Sequence, residues 1–239
     1  MRRITALLGA FLVVYVETAK LPSYFPICYQ DDQKISECFI NAANNLNQQV
    51  RNGIPEIGLR PLDPYVCPDF NMTIESPVSD FHVITNSFTL YRLYNYQFVE
   101  ADVRPKDGVI GGRVILPDLS VWTNFKVEGH VINLSVAGGG ELEMNNTVTT
   151  CDFLLSDWDV KGNCNGIKVD VTCKVHDLKL NLTGLVNGDV LIPILNMNSE
   201  LIASEISPAY SQLFQEILRP FLIRLCRKYS IDELFPRTS

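Results

Sequence analysis

Near the end of the chain, Tyr210, Leu213, Phe214, Ile217, Leu218, Phe221, Leu222, Leu225 and Tyr229 recur at intervals of three and four residues. That is the period of an α-helix, and the apolar side chains cover so much of its circumference that one flank against a core would not bury them. Such a helix has to be wrapped by other structure. Ser207 is placed to cap it and Pro208 to occupy its first position. Running to about Tyr229 it would be ~33 Å long, with a bend where Pro220 removes one backbone hydrogen bond.

The material available to wrap it is a series of strands. From roughly Phe70 to Leu185 the apolar pattern changes to period two: Val114 and Leu116; Ile132, Leu134 and Val136; Ile167, Val169, Val171, Cys173 and Val175. Half-buried strands alternate in this way. Gly108, Gly111-Gly112 and Gly138-Gly139-Gly140 punctuate them. The triple glycine lacks the Lys-Ser/Thr and following helix of a phosphate-binding loop, and predicts a bulge or a sharp sheet bend instead. Residues Thr149 to Val175 form a legible hairpin around Asp159–Gly166. With the turn centred on Gly162, Cys151 faces Cys173, Phe153 faces Val171 and Leu155 faces Val169, all on one buried face. Beyond Val175 the parity flips to Leu178, Leu180 and Leu182, which requires an extra residue near His176 and Asp177.

Ahead of the strands, Leu21 to Cys28 reads as an extended arm. A helix is predicted from about Asp32, with Ile35, Phe39, Ala42, Leu46 and Val50 on one face, ending at Gly53 and Pro55. Cys28 and Cys38 are predicted to pair and clip the arm to this helix. The order is therefore helix, many antiparallel strands, long buried helix. With 46% hydrophobic residues the chain has enough material for a large core.

The first residues predict export. Arg2 and Arg3 precede an apolar run from Ile4 to Val16, and Thr18 and Ala19 follow, the order of a secretory signal peptide. The run reaches only ~20 Å, too short to cross a ~30 Å hydrocarbon core. Residues 1–19 are read as the signal, cut between Thr18 and Lys20, and residues 20–239 as one domain. Asn71, Asn133, Asn145 and Asn181 each begin a glycosylation acceptor triplet. There are seven cysteines and no Cys-x-x-Cys pair, and the three histidines are scattered. Disulfides in an oxidising compartment fit this better than a metal cage, so no metal or cofactor is expected. An odd count leaves one thiol over, or paired to another chain. Losing residues 1–19 removes two arginines and one glutamate, which moves the formal charge from −7 to −8. That acidity argues against nucleic acid and against anionic membranes as partners, and stable membrane insertion is not expected.

Leu21-Pro-x-x-Phe25 with Cys28 and Cys38, then Gly53-Ile-Pro-Glu-Ile-Gly-Leu-Arg-Pro-Leu-Asp-Pro64, resembles the start of the insect haemolymph juvenile hormone binding and takeout-like proteins. Asn187-Gly-Asp189, Leu195-Asn-x-Asn198 and Asp232-Glu-Leu-Phe-Pro236 resemble that family's carboxyl-terminal features. The resemblance spans nearly the whole chain after the signal. It implies an α+β fold in which a highly curved antiparallel sheet wraps the long carboxyl-terminal helix, with an amino-terminal helix beside it. It also implies an internal apolar tunnel for a juvenile hormone-like terpenoid, a fatty acid or a related lipid. Departures are Arg60, where the family carries an apolar or small residue, the more apolar stretch after Asp189, and the additional cysteines. The hormone binders bridge a strand to the last helix, which Cys173–Cys226 would imitate; Cys151–Cys173 across the hairpin is the competing pair.

Close packing is the default interior of any domain, and it is the resemblance that shifts the expectation to a cavity. A ligand of about fifteen carbons would gain ~12 kcal/mol gross at ~0.8 kcal/mol per methylene, leaving roughly micromolar binding after association costs. Phe214, Ile217, Leu218 and Phe221 are expected to face it, opposed by Phe153, Leu155, Val169 and Val171. A second location lies near Phe39, where the clipped arm would act as a lid. A neutral ligand would bind with little dependence on salt; a steep dependence would indicate an ionic head-group site, with Arg60 or Arg92 as candidates. The Gly-x-Ser-x-Gly of a secreted esterase is absent. His82, His130 and His176 belong to no paired motif, and Asp157 and Asp159 beside Trp158 read as solvated turn residues, so no enzyme activity is expected. The alternative is a secreted regulator that meets a receptor through its surface.

Overall fold

The computed structural model describes residues 21–158 and 163–238. The signal segment expected at 1–19 and the turn centre at Gly162 lie outside the described residues. In chain order the elements begin with α1 (Ile35–Asn45), α2 (Asn47–Arg51), β1 (Tyr65–Val66), β2 (Asn71–Glu75) and β3 (Asp80–Tyr91). There follow β4 (Gln97–Arg104), β5 (Val109–Leu116), β6 (Ser120–Val131), β7 (Leu134–Ser156) and β8 (Lys168–Leu182). The chain closes with α3 (Gly188–Met197), α4 (Ser199–Lys228) and α5 (Ile231–Leu234).

The strands form one curved antiparallel sheet in the order β1-β3-β6-β7-β5-β4, with β2 also on β3 and β8 also on β7. Strand β7 is its spine. Its first half pairs with β6 and its second half with β5, while β8 runs beside it from Leu142 to Ser156. The β7–β8 register is the one the alternation predicts: Cys151 opposite Cys173, Phe153 opposite Val171, Leu155 opposite Val169. The parity flip is there too. The register shifts between Asn146 and Thr149, leaving Thr147 and His176 without opposite numbers. Met144 and Asn146 point inward before the shift, Thr149 and Cys151 after it. Gly138 serves close approach: a Cβ there would lie 2.3 Å from the Gly184 carbonyl oxygen, a distance no side chain can occupy.

Helix α4 closes one edge of the sheet through side chains. The Ser207 hydroxyl accepts from Val175 N at 2.9 Å, the Ser211 hydroxyl accepts from Cys173 N at 2.8 Å, and Gln215 Nε2 donates to the Val171 carbonyl at 3.1 Å. Four residues of helix advance ~6.0 Å and two residues of strand ~6.6 Å, so every fourth helical side chain meets every second strand residue. Asn196 at the end of α3 continues the series, accepting from Leu180 N and donating to its carbonyl. Helices α1 and α2 treat β4 alike. Asn44 makes both bonds to the Phe98 backbone, Asn47 donates to the Tyr96 carbonyl and Ser36 accepts from Val103 N. Strands β8 and β4, each paired on one side only, are thus covered by helices, which removes the template they would offer to another chain.

Four local expectations are corrected. Ser207 is not a cap: α4 starts at Ser199 and spans 30 residues, ~45 Å. Ile202, Ala203 and Ile206 extend its buried face backward, and Pro208 sits inside, forgoing one bond. Ile132 is not in a strand; with Asn133 it makes the tight turn between β6 and β7, both at positive φ (50° and 59°). The amino-terminal helix is split at Leu46 into α1 and α2. Helix α3, rich in β-branched and leucine residues with Pro193 inside, was not anticipated.

Disulfides join Cys28 to Cys38, Cys151 to Cys173 and Cys164 to Cys226. The Cys173–Cys226 alternative fails on distance along the helix. Cys173 is hydrogen-bonded to Ser211, and Cys226 lies fifteen residues farther on, ~22 Å down the axis. The odd thiol is Cys67, which is free and buried, and so is not presented to another chain.

Candidate functional site

The concave face of the sheet and α4 do not pack solid. They leave a cavity of about 400 Å³ toward the carboxyl-terminal half of the helix and one of about 130 Å³ toward its amino-terminal half. No residue lines both. Along α4 the smaller cavity is lined by Ile202, Ile206, Ala209, Tyr210 and Leu213, the larger by Phe214, Ile217, Leu218, Phe221, Leu222, Arg224 and Leu225. The division therefore falls between Leu213 and Phe214.

The larger cavity gathers nearly every site residue predicted from sequence: Phe39, Phe153, Leu155, Val171, Phe214, Ile217, Leu218 and Phe221 all line it. Val169 does not; it is buried elsewhere in the core. The two expected locations, at the hairpin and near Phe39, open into one cavity. The roof between them is made by Leu46 and Val50 of the amino-terminal helices and by Leu21, Phe25 and Pro26 of the arm. The Cys28–Cys38 bridge fastens that arm to α1.

Sequence reading missed Phe98, which stands at the centre of an aromatic cluster. Its ring meets Phe39, Tyr96 and Phe153 edge-on at centroid distances of 5.6, 5.4 and 5.7 Å, a favoured geometry. Tyr96 shares the wall, its hydroxyl donating to the Ala43 carbonyl at 2.9 Å, and burial raises its phenol well above the ordinary value. The available signal was the alternation of Tyr96 and Phe98 across the start of β4.

Polar character is distributed unequally. In the smaller cavity the Thr85 hydroxyl donates to the Phe70 carbonyl and accepts from Phe70 N. Tyr210 accepts from Asn146 Nδ2 at 2.8 Å, and burial raises its phenol too. The Tyr210 O–H is turned toward Met144 Sδ at 4.0 Å, and no charged side chain is among the residues lining this cavity. The larger cavity has Arg60 and Arg224 in its wall. Both are exposed. Arg92, the other head-group candidate, is elsewhere, bonded to the Asp118 carbonyl, the Asp118 carboxylate and Asn145.

The acid–base residues stay apart. His82, His130 and His176 are exposed, and Asp157 is paired with Lys168 at 2.9 Å; Asp159 lies outside the described residues. Among the described residues no cluster of histidine, cysteine or acidic side chains could hold a metal ion, and no helix is long and apolar enough to cross a membrane. Of the acceptor asparagines, Asn71, Asn133 and Asn181 are exposed. Asn145 is half-buried, bonded to Glu143 and Arg92.

A family model described as haemolymph juvenile hormone binding protein matches residues 6–236. No curated protein matches the sequence. Among solved structures, Takeout 1 of Epiphyas postvittana superposes with a TM-score of 0.72 at 19% identity, over 88% of this chain and 99% of that one. At that identity the likeness is one of fold. A lipopolysaccharide binding protein aligns with a TM-score of only 0.32 at 14% identity, over 76% of this chain and 39% of that one, too low to carry weight.

Proposed function

The chain belongs to the haemolymph juvenile hormone binding protein family, and from that membership and the cavity geometry we propose that it is a secreted carrier of a small apolar ligand and has no enzymatic role. One observation carries the reading: a cavity of about 400 Å³ walled almost wholly by apolar side chains, in an interior where close packing is the rule. An engineered apolar cavity of ~150 Å³ takes a benzene ring, so this volume corresponds to a terpenoid or fatty chain of roughly fifteen carbons. The smaller cavity lies in line along α4, and together the two would form the family's tunnel if the Leu213–Phe214 division opens. Residues 1–19 act in this reading as a cleaved signal, and residues 20–239 as the mature domain. The three disulfides support an oxidising compartment.

Mass spectrometry of organic extracts from the natively purified protein tests this. The expected result is one fatty or terpenoid molecule per chain, displaceable by a fluorescent apolar probe. An empty protein that binds no probe would overturn it. The receptor-directed alternative draws support from Val186, Val190, Met197 and Leu201, which are exposed around α3; it predicts a partner whose binding is blocked by charged substitutions there.

A further inference from the structure

The charge in the larger cavity is one-sided. The whole chain carries more acidic than basic residues, 27 against 20. Yet among the described residues lining this cavity the charged side chains are Arg60 and Arg224, and no carboxylate stands with them. They come from distant parts of the chain: Arg60 from the loop after α2, Arg224 from the last turns of α4. Arg224 nonetheless reaches the segment that carries Arg60: a Cβ built on Gly58, two residues before Arg60, would lie 3.9 Å from Arg224 Nε. Both also bear on the half-buried Tyr65, another lining residue, where their charges oppose the rise that burial and Cys67 impose on its phenol.

Most of the other described arginines are spent on partners. Arg51 pairs with Asp63, Arg113 with Glu100 and Asp152, and Arg227 bonds Asn165. Among the described residues no side-chain hydrogen bond or ion pair engages Arg60 or Arg224. Two exposed guanidinium groups at the rim of an apolar cavity have water to satisfy them while it is empty and five donors each to offer an anion.

We infer that the larger cavity takes a single-chain amphiphile with a carboxylate head, its chain in the apolar interior and its carboxylate at the rim between Arg60 and Arg224. The inference rests on the ligand-binding reading above and specifies its ligand as a free acid in preference to a neutral ester or alcohol. The volume selects the chain: about fifteen carbons fit, so a two-chain phospholipid does not. Planar guanidinium groups match a carboxylate in two-bonded geometry.

The test compares dodecanoic acid with methyl dodecanoate, which share a chain and differ in charge, as competitors for a bound fluorescent apolar probe at neutral pH. The parent protein should bind the acid roughly tenfold more tightly at low salt, the scale of two solvent-exposed ion pairs, with the advantage shrinking as salt screens it. Arg60→Gln with Arg224→Gln should bring the acid down to the level of the ester, whereas Arg60→Lys with Arg224→Lys should keep part of the preference. Thermal unfolding of each variant confirms that it is folded. Equal displacement by acid and ester in the parent, or an acid preference that survives the glutamine pair, overturns the inference while leaving apolar ligand binding standing. Displacement by neither competitor, with no probe bound, refutes the carrier reading and this inference together.

Discussion

Replacing Ile217 with tryptophan puts the cavity to a quantitative test. Ile217 lines the larger cavity from α4, on the wall it shares with Phe153 and Val171. Tryptophan adds about six non-hydrogen atoms, the size of the benzene ring that fills a ~150 Å³ cavity. Of about 400 Å³, more than a third would be occupied. A fifteen-carbon ligand would lose room for about six carbons, ~5 kcal/mol gross at ~0.8 kcal/mol per methylene, or more than a thousandfold in affinity. The longest acyl chain that competes should shorten by a similar number of carbons. Stability should change by no more than the ~1–3 kcal/mol of modest overpacking, because the ring enters a void. Probe displacement and thermal unfolding on the same sample separate the effects. A folded variant that binds long chains like the parent would refute the placement of the ligand; a variant that barely folds would show that no void existed.

Further expectations follow from the packing. Ser211→Ala removes the acceptor of Cys173 N and should cost ~1–3 kcal/mol in urea unfolding, the penalty of an orphaned backbone donor at a part-buried edge; no measurable loss would mean that α4 does not cap β8. Burial pushes the Cys67 thiol up to about 12, so at pH 8 it stays protonated and should resist iodoacetamide until the protein unfolds; rapid labelling of the native state would contradict its burial. Replacing both Cys164 and Cys226 with serine opens a loop of sequence separation 62 and should cost up to ~4 kcal/mol by chain entropy, read as a lowered midpoint in denaturant. Glycopeptide mapping should find Asn133, exposed at a hairpin tip, modified more fully than half-buried Asn145.

What the sequence determined by itself was whatever depends on period and parity. The alternation around Cys151, Phe153 and Leu155 dictated the hairpin register, because a slip by one residue would turn every apolar side chain outward. The flip at His176 was visible for the same reason, and the apolar circumference of the last helix already required a wrapping sheet. Its start was misjudged because Ser207-Pro208 has the composition of a cap; only the neighbouring strand reveals that the Ser207 hydroxyl accepts from Val175 N. Tertiary structure alone decided the rest. It chose Cys164 for Cys226 over Cys173, a matter of distance along a helix that spacing in the chain does not encode. It merged the hairpin site and the Phe39 site into one cavity, because α1 packs on β4 beside β5. And it set Arg60 and Arg224, far apart in the chain, in the wall of one cavity, since the position of a charge relative to an apolar void is fixed by how the elements pack and not by the order of residues within them.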